Sequence, residues 1–100
     1  MFEIRTKNGE NSITIFLDGR LDVNSAAEAD RRFTELSRQT ESIVLDCAKL
    51  EYISSAGLRA IKRLRLGMKE KNGSLVVKNV NEETMEVFEM TGFAALLAFE

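Results

Sequence analysis

The sequence predicts an α/β sandwich in which helices pack on a mixed β-sheet, with the element order ββαβαβαβ. Two opening segments alternate along the chain with a period of two, and later short apolar runs are rich in β-branched residues. Segments with helical spacing separate those later runs, which is typical of strands joined by crossover helices. Because the chain has 100 residues, 44% of them hydrophobic, we expect a single domain over residues 1–100.

Two antiparallel strands are predicted at the start of the chain. Residues 2–7 and 13–18 alternate as expected for strands with one face on the core. Asn8-Gly9 lies between them and is a hairpin turn signal, because both residues tolerate a positive φ. Gly19 is then expected to break the second strand.

A helix and a buried strand are predicted next. Ser25 and Glu28 have the spacing of a capping box, in which the serine hydroxyl accepts the Glu28 N–H and the carboxylate accepts the Ser25 N–H. The helix is expected to extend to about Arg38. The run Ile43-Val44-Leu45 is wholly apolar, which predicts a central strand covered on both faces.

The second helix is predicted to begin near Ser54-Ser55 and to extend to about Glu70, with Gly73 placed for a left-handed cap. Its apolar residues fall on one arc that is expected to face the sheet: Gly57, Leu58, Ile61, Leu64 and Met68. The opposite arc is basic. A solvated face is the plainer interpretation of that arc, and a docking surface for an acidic partner is the alternative.

The remainder of the chain predicts a strand, a helix and a last short strand. Leu75-Val76-Val77 is the strand candidate, and Asn81 is expected to cap the third helix, which ends at Gly92. The last short strand is expected over Leu96 to Phe99.

The composition excludes several kinds of active site. The chain has no His, Trp or Pro and one Cys, which removes Ser-His and Cys-His catalysis, imidazole metal sites and disulfide frameworks. We expect no metal or other cofactor, and we expect Cys47 to be a small buried hydrophobic residue. Without a signal peptide or a long apolar run, the chain is expected to be a cytoplasmic protein that does not insert into membranes.

The most informative stretch is 43–58, IVLDCAKLEYISSAGL. It predicts a buried strand, an acid at its carboxyl end (Asp46), a loop, and two serines that open a helix, which is where open α/β sheets place functional groups. Asp22 and Asp46 would both lie near Ser55 if each ended a strand at the same sheet edge. The alternative for both acids is capping of an Asx-type turn, and for the serines it is helix capping.

The same stretch resembles the signature of STAS domains, in particular the single-domain bacterial anti-sigma factor antagonists. Gly19-Arg20-Leu21-Asp22 is similar to the earlier Gly-x-Leu-Asp signature of that family, and Met90-Thr91-Gly92-Phe93 resembles its turn near the C-terminus. The three signatures occur in the order found in the family and span nearly the whole chain. The resemblance implies a STAS-like fold and a regulatory binding protein instead of an enzyme.

The resemblance also implies a phosphorylation switch. In the family, a partner that is both anti-sigma factor and serine kinase phosphorylates the antagonist, and a serine phosphatase resets it. Alignment on Gly57-Leu58 puts the phosphoacceptor at Ser55. Many members have Asp immediately before that serine, whereas this chain has Ser54, which is therefore a competing acceptor. Residues expected to shape the site or contact the partner are Asp22, Asp46, Ser54, Ala56, Gly57, Leu58, Arg59 and Lys62.

Other functions are also open at this point. A STAS accessory subunit of a lipid or anion transport complex would dock on its partner without phosphorylation. A hydrolase that uses Ser55 lacks a base to activate the hydroxyl. Direct binding of nucleic acid is not expected, since the net charge is −2. We expect a monomer or a weak homodimer.

Overall fold

The computed structural model describes residues 1–100, and its elements follow the predicted order. They are β1 (Phe2–Asn8), β2 (Ile13–Leu21), α1 (Ala26–Ser37), β3 (Ser42–Ile53), α2 (Ser55–Glu70), β4 (Ser74–Lys78), α3 (Glu82–Met90), a 3₁₀ turn (Phe93–Ala95) and β5 (Ala98–Phe99). The mixed α/β class and the order ββαβαβαβ are therefore confirmed.

The five strands form one mixed sheet in the order β1-β2-β3-β4-β5. β1 and β2 are antiparallel, and each later neighbour is parallel to the one before it. Because β2, β3 and β4 are parallel, their carboxyl ends meet at one edge of the sheet. The loops that lead into α1, α2 and α3 start at that edge.

The core lies between the helices and one face of the sheet. Ile13, Ile15 and Leu17 of β2 are buried, as are Ile43 and Leu45 of β3. The residues between them on both strands are only half-buried. The prediction that β3 is covered on both faces is therefore wrong: the helices cover one face, and the strand alternates as an open sheet does.

Gly19 does not end β2, which continues to Leu21. The pairing with β3 shifts register on either side of Gly19, and Gly19 itself has a φ of +100°. A Cβ at this residue would lie 2.0 Å from the Met1 carbonyl oxygen. Glycine is therefore required here for a bulge and a close backbone contact, and not for a strand end.

The helix ends differ from prediction in two places. Ser25 makes no capping bond with Glu28; its Oγ instead accepts the Asp22 N–H at 3.0 Å and donates to the Arg20 carbonyl at 2.8 Å. After α2 the left-handed residue is Asn72, with a φ of 59°, and not Gly73. Gly73 is needed for space, because a Cβ there would lie 2.7 Å from a backbone oxygen of the chain.

The third helix begins as predicted. Asn81 caps α3, since its side-chain oxygen accepts the Thr84 N–H at 2.8 Å. Gly92 follows α3 with a φ of 83°. The last strand is shorter than expected, Ala98–Phe99, because the N–H groups of Leu96 and Leu97 both donate to the Phe93 carbonyl and keep these residues in the turn.

Candidate functional site

The candidate site lies at the edge of the sheet where β2 and β3 end and α2 begins. Leu21 pairs with Ile53, and the Ser54 N–H donates to the Leu21 carbonyl at 2.9 Å. Gly57 is buried in the first turn of α2 against these residues, and a Cβ there would lie 2.7 Å from Leu21 Cγ. Because glycine has no side chain, α2 can start directly beside the ends of both strands.

The two serines at this edge have different environments. Ser54 is the N-cap of α2, half-buried, with its Oγ accepting the Gly57 N–H at 3.2 Å. Ser55 is the first helical residue; it is exposed, and its hydroxyl forms no hydrogen bond within the chain. The N–H groups of Ser55 and Ala56 have no acceptor either, as expected for the first turn of a helix. The site therefore presents one free hydroxyl beside two free amide donors.

Asp22 follows β2 and forms a turn next to this site. Its Oδ1 accepts the N–H of Asn24 at 3.0 Å and the N–H of Ser25 at 3.3 Å, which is the capping role considered for it in the sequence. Desolvation alone would raise the pKa of Asp22. Hydrogen bonds from Asn24 and Ser25, together with the charge of Arg20, outweigh it and lower that pKa below 3.8.

Asp46 does not lie beside Ser55, so the expectation that both acids meet there is wrong. β3 continues for seven residues beyond Asp46, from 46 to its end at 53. At about 3.3 Å per residue this distance is on the order of 20 Å. Asp46 instead lies mid-strand, where Oδ1 accepts the Ala48 N–H at 2.9 Å and Oδ2 accepts an Asn79 amide N–H at 3.1 Å. Its environment is that of the Asx-type turn alternative.

Three residues near the site were missed by the sequence reasoning. Arg20 lies over the ring of Tyr52 at 4.3 Å from its centroid, and the ring remains 42% exposed. Val23, in the Asp22 turn, is 74% exposed. In the sequence, the available sign of an exposed apolar surface was a Val and a Tyr in two segments predicted as loops. The Arg20–Tyr52 stacking was not predictable because it depends on the register across two parallel strands.

Some of the remaining predicted site residues are buried and others are exposed. Leu58 is 5% exposed and belongs to the core, so it anchors α2 and offers no contact surface. Ala56 is half-buried. Arg59 and Lys62 are exposed and form no ion pair within the chain, whereas Arg63 pairs with Asp30 at 2.9 Å. Part of the basic arc is therefore free beside Ser55.

The rest of the molecule adds two observations. No group of three or more Cys, Asp or Glu side chains is arranged to hold a metal ion. None of the helices has the length and apolar composition needed to cross a membrane.

The mixed sheet with helices on one face is the STAS-like fold that the sequence resemblance implies, and an exposed serine stands at the start of its second helix. The chain belongs to the STAS domain family, whose model matches residues 2–100.

Relatives and solved structures agree with that assignment. BtrV of Bordetella bronchiseptica, described as an anti-sigma factor antagonist, is 35% identical over 78 residues, covering 74% of this chain and 67% of BtrV. The anti-sigma-B factor antagonist of Bacillus subtilis is 26% identical over 94% of this chain and 86% of its own. The crystal structure of an anti-sigma factor antagonist from Mycobacterium paratuberculosis has a TM-score of 0.89 at 14% identity, covering 99% of this chain and 85% of that one. This last likeness concerns the fold alone.

Proposed function

We propose that the protein is an anti-sigma factor antagonist of the cytoplasm. It binds a kinase-type anti-sigma factor, so that a sigma factor is released, and phosphorylation of Ser55 by that kinase ends the binding. A serine phosphatase restores the active form. The names of the two relatives support antagonism. The observation that carries the switch is the free, exposed Ser55 hydroxyl at the first residue of α2.

Ser55 is favoured over Ser54 as the phosphoacceptor for a physical reason. A kinase must reach the hydroxyl and remove its proton, and the Ser55 hydroxyl is accessible without any hydrogen bond being broken. The Ser54 hydroxyl is engaged with the Gly57 N–H. Modification of Ser54 would place a bulky phosphate at the half-buried N-cap, on the oxygen that accepts the Gly57 N–H.

Phosphorylation at Ser55 is expected to leave the fold intact. Phosphate adds about −1.5 to −2 charges and three acceptor oxygens. At this position it meets the free N–H groups of Ser55 and Ala56 and the positive end of the helix dipole. The first turn of α2 contains no acidic residue that would repel it. The switch therefore acts on the surface, without unfolding the helix.

The effect on the partner is electrostatic. A partner that contacts this edge must remove water from the surface around Ser55. The two N–H groups compensate the phosphate charge only in part, so burying the dianion there costs several kcal/mol, which corresponds to a loss of affinity of roughly a thousandfold. Tyr52 and Val23 supply exposed apolar area to such an interface, and Arg59 and Lys62 supply unpaired positive charge. This surface suits a partner with apolar and acidic groups.

Calorimetric titration of an anti-sigma factor kinase from the same organism tests this proposal. Ser55→Ala should bind like the wild type and no longer respond to ATP, while Ser55→Asp should bind roughly a thousandfold more weakly. Ser54→Asp is the matched control because it places the same charge one residue earlier, at a position where Asp can still cap the helix.

The melting temperature separates a switch from a structural serine. Ser55→Asp should melt within a few degrees of the wild type. Equal binding by Ser55→Asp and the wild type would contradict the proposal, and so would a large loss of stability. Binding that never responds to ATP would favour docking without phosphorylation, as in a transport complex.

A further inference from the structure

A groove lies at the opposite end of α2 from Ser55, between its last turns and the C-terminal residues. It has a volume of about 400 Å³ and is lined by apolar and basic side chains, among them Arg65, Met68, Lys69, Leu75, Leu96 and Ala98. Leu96 is 44% exposed, and Arg65 Nε donates to its carbonyl at 2.9 Å. The groove is therefore an apolar floor with a basic rim.

The basic rim has no acidic partner within the chain. Arg65 and Lys69 form no ion pair, although Arg63 and Lys71 on the same helix segment each pair with a carboxylate. Leu66 lies beside the rim and is 43% exposed, which is unusual for Leu on an otherwise charged arc. The groove is thus complementary to a segment that carries both carboxylates and an apolar side chain.

The helix α3 of the same chain is such a segment. Its four glutamates, Glu82, Glu83, Glu86 and Glu89, form no ion pair. Glu86, Glu89 and Met90 are spaced to share one face of the helix. All three are exposed, and Met90 is 86% exposed although it is a large apolar residue.

We propose that α3 of one copy docks into the groove of a second copy. Met90 contacts the apolar floor, and Glu86 and Glu89 lie against Arg65 and Lys69. A second copy fits because both complementary surfaces belong to this chain: residues 59–71 carry six bases and one acid, whereas α3 carries four acids and no base. Methionine suits such a contact, because its flexible side chain adapts to an irregular groove.

This association is separate from the phosphorylation switch. At about 1.5 Å per residue, Lys69 lies roughly 20 Å along α2 from Ser55. The groove and α3 are different surfaces, so the contact is heterologous. In a pair, one copy still has a free groove and the other a free α3, unless further copies close a ring. A small contact of this type has a dissociation constant between roughly 10 μM and 1 mM, and added salt weakens it.

Charge reversal combined with sedimentation velocity tests the contact. Wild-type protein should show a weight-average mass that rises with concentration up to about 1 mM and falls on adding salt. K69E and E89K should each remain monomeric, because each places like charges across the contact. An equimolar mixture of the two should associate, and so should the double variant K69E/E89K, since both restore opposite charges.

Lys7→Glu is the matched control, because it reverses an exposed charge on β1, away from both surfaces, and should leave the association unchanged. Circular dichroism of each variant confirms folding before the comparison. A wild type that stays monomeric at about 1 mM overturns the proposal. Failure of the mixture and of the double variant to associate also overturns it, even if the wild type does, because that association would then use another surface.

Discussion

Gly57 and Gly67 are both in α2, but a Cβ added at each would meet different surroundings. At Gly57 it would lie 2.7 Å from Leu21 Cγ, 2.8 Å from the Leu21 carbonyl oxygen and 3.0 Å from Ile53 Cγ1, whereas at Gly67 nothing lies within 4 Å. The Leu21 oxygen is held in place, since it accepts the Ser54 N–H at 2.9 Å. We therefore expect the two Gly→Ala substitutions to change stability in opposite directions.

The magnitudes follow from helix propensity and overpacking. Gly67→Ala in the helix interior should stabilise the fold by about 0.8–1.0 kcal/mol. For a domain of this size that raises the melting temperature by roughly 4–8 °C. Gly57→Ala incurs an overpacking cost of about 1–3 kcal/mol, which a smaller propensity gain partly offsets. Its net loss of roughly 0.5–2 kcal/mol lowers the melting temperature by roughly 2–16 °C.

Thermal and urea unfolding followed by circular dichroism measure both variants under identical conditions. The Gly67→Ala variant serves as the control for helix propensity, because it makes the same chemical change in the same helix. Equal stabilisation by both substitutions would contradict the close contact at Gly57. It would show that the start of α2 does not pack against the end of β2 as closely as the structure has it.

Three further predictions concern single groups elsewhere in the fold. Asn81→Ala should lower the free energy of unfolding by about 1–2 kcal/mol, since the Thr84 N–H loses its cap and the Leu50 carbonyl loses the Asn81 amide N–H. Asn81→Asp keeps the cap but not the hydrogen bond to Leu50, so it should recover part of that loss in urea unfolding, and equal losses would contradict the capping role. Burial, together with the charge of Asp46, raises the pKa of Cys47 to about 12. Iodoacetamide at pH 8 should therefore label this thiol only in denaturant, and labelling of the native protein would contradict the burial. Because the pKa of Asp22 is lowered in the folded protein, its charge adds stability above pH 3.8, and this contribution disappears as the pH falls further. An Asp22→Asn variant should therefore be less stable than the wild type at pH 7 and equal to it in strong acid. A difference in stability that does not change with pH would contradict this.

Much of the fold could be predicted because its local signals agree with one another. The alternation in β2, the serines at the start of α2 and the Asn81 cap each act within a few residues, so the sequence alone contains the physical reason for them. The resemblance to the family signatures favoured Ser55 over Ser54 as the phosphoacceptor. The structure supplies an independent reason for that choice, because Ser54 is engaged as the helix cap.

The errors share a different cause. Asp46 was expected at a strand end because the apolar run stops there, but β3 continues to Ile53 through a stretch whose pairing with β2 keeps it in the sheet. Gly19 was expected to break a strand, but its role depends on contact with Met1, which lies eighteen residues earlier in the chain, just before the Phe2 that pairs with Gly19. Neither contact can be predicted before the register of the strands is known.

The identity of the phosphorylated residue decides whether Ser55 is the switch. The wild type, Ser54→Ala and Ser55→Ala are incubated with ATP and an anti-sigma factor kinase from the same organism, and the site is mapped by tandem mass spectrometry. We expect a single phosphate on Ser55 in the wild type and in Ser54→Ala, and none in Ser55→Ala. A phosphate on Ser54, or one that persists in Ser55→Ala, would contradict it.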